Sequence, residues 1–147
     1  MLRPKLYRHV LAASDGSAQG QRALCAALEI ALPCALSLTL VHVLPVLHAV
    51  PADQQSAYQE QAAQDADVAR AFLQPVYTRA LALGLPCAIE LIPGNEPWRV
   101  IDDRAESLGC DLLVLGLHMR SWLGDSGTEN QRKLLSIGST REVLMVP

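Results

Sequence analysis

Five short apolar runs alternate along the chain with longer helical patterns, and this alternation limits the fold more than any other feature. The runs cover residues 9–14, 36–43, 87–92, 111–116 and 142–146. Each is β-branched or leucine-rich and nearly continuous in apolar character, as a strand buried on both faces should be. Strand and helix taking turns predicts an α/β protein with a parallel sheet and helices on both of its faces. The first helix should begin at Ser17, an N-cap after the turn Asp15-Gly16. Its stripe is Ala23, Leu24, Ala27, Leu28 and Ala31, and Pro33 ends it. A second helical region spans about residues 53–83, with Tyr58, Ala62, Ala66, Ala69, Leu73, Val76 and Ala80 at helical spacing. Its Gln- and Ala-rich first turns should be exposed or mobile, and Pro75 should kink or split it. The third helix takes Asn95 as N-cap and Pro97 in its first turn. The fourth opens on the capping box Ser126-Gly127-Thr128-Glu129.

Composition narrows the class. The chain has 147 residues, half of them apolar and 18% charged. It reads as a single domain, residues 1–147, able to bury a core without disulfides or a structural metal. Disordered chains are poor in apolar residues and rich in net charge, so disorder is excluded. Twelve basic residues stand against 15 acidic ones with no basic run, which argues against a nucleic-acid partner. Residues 30–52 carry no Asp, Glu, Lys or Arg, a length that could span a bilayer. Pro33, Pro45 and Pro51 break that stretch, so it reads instead as a buried strand flanked by loops. The apolar run after Arg3, Lys5 and Arg8 is too short for a signal-peptide core. The expectation is a soluble cytoplasmic protein with no membrane partner. Cys25, Cys34, Cys87 and Cys110 form no C-x-x-C pair and read as small buried hydrophobes.

Open parallel sheets bind ligands beyond the carboxyl ends of their strands. Cys34, Cys87 and Cys110 precede strands and lie on the other side. The carboxyl ends carry Ser14-Asp15-Gly16-Ser17 after strand one, His42 at the end of strand two, Pro93-Gly94-Asn95 after strand three and Gly116-Leu117-His118 after strand four. Asp15 can either accept hydrogen bonds from a ribose or a base amine, or cap its own turn. His42 and His118 could join Asp15 around one cleft for acid–base chemistry or a metal, but isolated histidines at strand ends are usually hydrogen-bonded or solvent-facing, and no metal site is expected. The loop of residues 116–128 ends at a helix N-terminus, where phosphate can bind. Bulky Met119 and Trp122 and anionic Asp125 oppose that use, and neither G-x-G-x-x-G nor the Walker A pattern is present.

Taken together these residues resemble the universal stress protein family over almost the whole chain. The resemblance rests on the first strand running into Asp15-Gly16-Ser17, on Leu40-Val41-His42-Val43 and on Gly94. It rests further on Cys110-Asp111-Leu112-Leu113-Val114-Leu115-Gly116 and on the ending Val143-Leu144-Met145-Val146-Pro147. It implies a Rossmann-like open five-stranded parallel sheet in the order 3-2-1-4-5. One branch of the family binds ATP or AMP through G-x2-G-x9-G-[S/T] after strand four. Carried over, Gly116 matches the first glycine, Met119 stands where the second belongs, and Gly127-Thr128 follows Met119 after only seven residues. A Met side chain obstructs the close backbone approach that glycine allows. The chain is therefore closer to the non-ATP-binding branch typified by universal stress protein A, with no cofactor and no catalysis. If nucleotide does bind, the resemblance places Asp15, Val43, Gly116, Gly127 and Thr128 around it. The H-x-G-H signature of related transferases is missing. The prototype branch is phosphorylated on Ser or Thr, which makes Ser121, Ser126, Thr128 and Ser136 sites of interest. The last strand falls on a sheet edge, an aggregation hazard unless covered. With no chain after Pro147 to cover it, the expectation is a homodimer through Val143, Leu144, Met145 and Val146.

Overall fold

A computed structural model describes residues 7–46, 50–117 and 142–147. The strands are β1 (His9–Ala13), β2 (Ser37–Leu44), β3 (Cys87–Pro93), β4 (Leu112–Gly116) and β5 (Glu142–Val146). The helices are α1 (Ala18–Ala31), α2 (Gln55–Ala82) and α3 (Pro97–Leu108). All four strand pairings are parallel, and the sheet order is β3-β2-β1-β4-β5. The charge-free stretch resolves into the end of α1, a short 3-10 turn (Leu32–Cys34), β2 and the start of its outgoing loop. No helix among the described residues is long and apolar enough to cross a membrane.

Alternation of side chains along each strand divides the core in two. Val10, Ala12, Leu38, Leu40, Leu112 and Val114 point to the side covered by α1 and α2, where Leu24, Ala27, Leu73 and Ala80 are buried. Leu11, Ala13, Val41, Val43, Leu113 and Leu115 point to the other side, against Ile101 and Ala105 of α3. The central strands β1 and β4 are buried nearly throughout, which is why their runs are continuously apolar. The edge strands β3 and β5 are only partly buried.

Three local expectations need correction. Asn95 does not cap α3; Glu96 holds that position, and the Asn95 carboxamide oxygen accepts the Val46 N–H (2.8 Å), tying the loop after β2 to the loop after β3. Pro75 does not split α2, which stays helical through it. The prolyl ring sits on an exposed position of the helix, where the missing N–H and the ring do not disturb the packing of Leu73 and Val76. The first turns of α2 are exposed as expected. Of the cysteines only Cys110 is buried; Cys87 is half-buried, and Cys25 and Cys34 are exposed because they fall on the outer face of α1 and on the turn that follows it. The capping box 126–129 lies outside the described residues.

Candidate functional site

At the carboxyl end of the sheet lies the β1–α1 turn. It is closed by its own side chains. Ser14 Oγ accepts the Gly16 N–H (3.1 Å), Asp15 Oδ1 accepts the Ser17 N–H (3.0 Å), and Ser17 Oγ accepts the Gly20 N–H (3.0 Å) as the N-cap of α1. Gly16 has a φ of 87°, a conformation that favours glycine, and a side chain there would meet the Phe72 ring of α2 at 2.8 Å. Gln21 Nε2 donates to the Phe72 carbonyl oxygen (2.9 Å), so α2 clamps the turn from above. Of the two readings of Asp15, the structure shows the turn contact.

His42 is not at the end of its strand; it sits inside β2, two residues before Leu44. Its Nδ1–H donates to the Ser14 carbonyl oxygen (2.8 Å), and its ring meets Phe72 edge-on at 5.1 Å. The side chain therefore braces the turn from the α2 side of the sheet. His118, the third member of the expected cleft, lies outside the described residues. No group of three His, Cys, Asp or Glu side chains among the described residues is placed to hold a metal.

Val43 lies in β2 on the α3 side, buried against Val41, Ile92 and Ile101, with Gly94 close above it. The Gly94 N–H continues the sheet by donating to the Leu44 carbonyl oxygen (2.9 Å). Gly116 is the last residue of β4 and is buried, because the α1 backbone crosses directly over it: a Cβ would lie 3.1 Å from the Gln19 carbonyl carbon and 3.2 Å from Gly20 N. Asp15, Val43 and Gly116 thus gather at one end of the sheet, while Gly127 and Thr128 lie outside the described residues. Sequence reasoning missed Gly20 and Phe72. Gly20 is buried against Ser14 Oγ and Asp15 Oδ1, leaving no room for a side chain. A glycine inside a helical pattern lowers helix propensity, and that cost was the available signal for close packing.

On the β5 edge, Val143 and Met145 pack on the α3 side and Val146 on the α1 side, while Leu144 is 39% exposed. Arg22 Nε donates to the Pro147 carbonyl oxygen (2.9 Å), pinning the end of β5 to α1.

A doubly buried parallel sheet in this strand order, with its loops collected at the carboxyl ends, defines an open α/β protein of the kind that places a ligand or partner over those ends. The sequence model of the universal stress protein family matches residues 6–128, and the chain belongs to that family. Universal stress protein UspA from Lactobacillus plantarum superposes with a TM-score of 0.78 at 21% identity, covering 98% of this chain and all of that one. A universal stress protein family member from Burkholderia pseudomallei gives 0.65 at 26% identity, with 99% of both chains covered. A universal stress protein solved in complex with cAMP gives 0.67 at 24% identity, covering 97% of this chain and 99% of that one. No curated protein sequence matches the chain.

Proposed function

We propose that this protein is a soluble cytoplasmic, dimeric, non-catalytic stress-response module that works without bound nucleotide. One observation carries the reading. Asp15, which a bound nucleotide would need for its ribose or base amine, is turned into its own loop, where Oδ1 accepts the Ser17 N–H, and the Ser14 and Ser17 hydroxyls take the Gly16 and Gly20 N–H groups beside it. The sequence adds that Met119 replaces a glycine of the nucleotide motif and that the spacing to Gly127-Thr128 is short. The dimer would form through Val143, Leu144, Met145 and Val146, since β5 has β4 on one side and ends the sheet on the other.

The test is direct. Purified protein is denatured, and the supernatant is assayed for ATP, ADP and AMP. The native protein is then titrated with ATP and with cAMP by calorimetry. The reading expects no released nucleotide and no saturable binding up to about 1 mM. Released nucleotide or micromolar affinity would transfer the conclusion to the second reading, an adenine-nucleotide-binding regulator using Asp15, Val43, Gly116, Gly127 and Thr128. The cAMP complex of a structural neighbour keeps that reading in play. Light scattering at micromolar concentration decides the dimer; a monomeric mass would refute it.

A further inference from the structure

The opposite, amino end of the sheet holds a groove of about 390 Å³ between β1, β2, β3 and the carboxyl end of α3. Its floor is unusual for a doubly covered sheet. The parallel register puts His9, Ser37, Thr39, Ala88 and Glu90 on one face of three adjacent strands. Higher up the same face the chain places Leu11, Val41 and Ile92, all apolar and packed toward α3. On this face the floor is instead polar or small, while Leu38, Pro86, Cys87 and, from α3, Leu108 give the groove a largely apolar lining around those polar groups. Because α3 leaves this end of the face open, the polar side chains here, the buried Thr39 aside, keep contact with solvent and face a concave space.

The groups there form two hydrogen-bonded pairs. His9 Nε2 lies 2.7 Å from the Thr39 hydroxyl, which is buried at 3% exposure. Arg104 donates through Nε and Nη2 to the two oxygens of Glu90, the second bond measuring 3.0 Å. The charges of Glu90 and Arg104 cancel. Burial holds the His9 imidazole below its ordinary value, against the opposing pull of Asp111 and Glu90, so near neutral pH it is uncharged. Burial likewise pushes the Cys87 thiol up to about 11, leaving it protonated. Asp111 accepts the backbone N–H groups of Arg8 and His9. An anion or a cation in the groove would have to displace one partner of the Glu90–Arg104 pair, which is costly for a half-buried ion pair.

We propose that the groove defined by His9, Ser37, Thr39, Glu90 and Arg104 binds a small neutral polyol or monosaccharide. Vicinal hydroxyls both donate and accept. One can donate to Glu90 while its neighbour accepts from Arg104, and the partly exposed Ser37 hydroxyl serves a third, without any charge being unpaired. The volume suits a ligand of that size. This site is independent of any nucleotide at the carboxyl ends.

The test is a titration of isotope-labelled full-length protein with myo-inositol and D-glucose, read by amide chemical shifts. Acetate and glycine betaine serve as charged and zwitterionic controls. Saturating shifts confined to His9, Ser37, Thr39, Glu90 and Arg104, with a Kd of about 1–10 mM for either polyol, are expected. Ser37→Ala, on a partly exposed position, and Glu90→Leu should each weaken binding about fivefold or more while keeping the native spectrum elsewhere. Non-saturating shifts, shifts indifferent to both variants, or a response to acetate or betaine equal to that of the polyols would overturn the proposal.

Discussion

The His42 imidazole donates its Nδ1–H to the main-chain oxygen of Ser14 at 2.8 Å, linking β2 to the residue that opens the β1–α1 turn. The Ser14 N–H in turn donates to the Val41 carbonyl oxygen (3.1 Å), so one residue past β1 is held by β2 through both backbone and side chain. Phe72 from α2 closes over the same place, against His42 and against Gly16. A histidine that sequence position alone offered to a ligand cleft is therefore a brace for the turn beneath that cleft.

Replacing His42 with leucine keeps apolar contact with Phe72 but leaves the Ser14 carbonyl without this donor. The expected loss is about 1–2 kcal/mol of unfolding free energy. Urea denaturation at neutral pH measures it. An unchanged midpoint would mean that the carbonyl finds another donor and that the brace is incidental.

Gly116 makes a second separable prediction. Its hydrogen faces the Gln19–Gly20 backbone, so Gly116→Ala forces a methyl to within 3.1–3.2 Å of main-chain atoms that belong to a helix and cannot rotate away. Overpacking of this kind costs about 1–3 kcal/mol. The effect appears as a lower Tm in protein free of any nucleotide. A variant that melts like the parent would remove the packing role and leave only the ligand role that the glycine motif suggests.

The burial of β1 and β4 was legible because a strand covered on both faces must be apolar at nearly every position, as theirs are, whereas the sheet order came with the family resemblance and not from the apolar pattern. Helix ends were legible where a side chain does the capping, as at Ser17, and misread where a side chain is diverted, as at Asn95, whose amide reaches across to Val46. Burial of single cysteines was not legible, since it depends on the rotation of α1 about its axis and on one exposed 3-10 turn. At the candidate site the sequence supplied the residue list but not the direction of each side chain. His42 and Val43 are adjacent in β2 and yet face opposite sides of the sheet, one toward α2 and the other toward α3.

Thiol chemistry follows the corrected burial. Under native conditions iodoacetamide should modify Cys25 and Cys34 first, because both are exposed. Cys87 should react far more slowly, since burial pushes its thiol up to about 11 and leaves little thiolate at pH 8. Cys110, 4% exposed, should be modified only when the protein unfolds. Mass spectrometry of time points gives the order, and early labelling of Cys110 would contradict the packing of β4 against α3.

Two groups at the amino end of the sheet set opposite limits on stability with pH. His9 has its folded value below 6.5, chiefly because burial disfavours the charged ring. The unfolded chain therefore binds the proton first, so the contribution is present above about 6.5 and is lost as pH falls toward the folded value. Tyr7 is raised from 10.0 to about 12, first by its hydrogen bond to the Glu142 carboxylate at the start of β5 and then by burial. Its contribution is complete below pH 10 and is lost as pH climbs to about 12. His9→Gln should flatten the acid limb of a Tm–pH profile and leave the alkaline limb in place, and Tyr7→Phe should do the reverse. Because Glu142 also donates its backbone N–H to the Asp111 carbonyl oxygen just before β4 (3.0 Å), alkaline loss of the Tyr7 contact should loosen β5 before the central strands. Hydrogen exchange between pH 9 and 11, corrected for intrinsic rates, reads this as earlier loss of protection at Val143–Met145 than at Leu113–Leu115; simultaneous loss across β4 and β5 would show that the Tyr7–Glu142 contact does not anchor the edge strand.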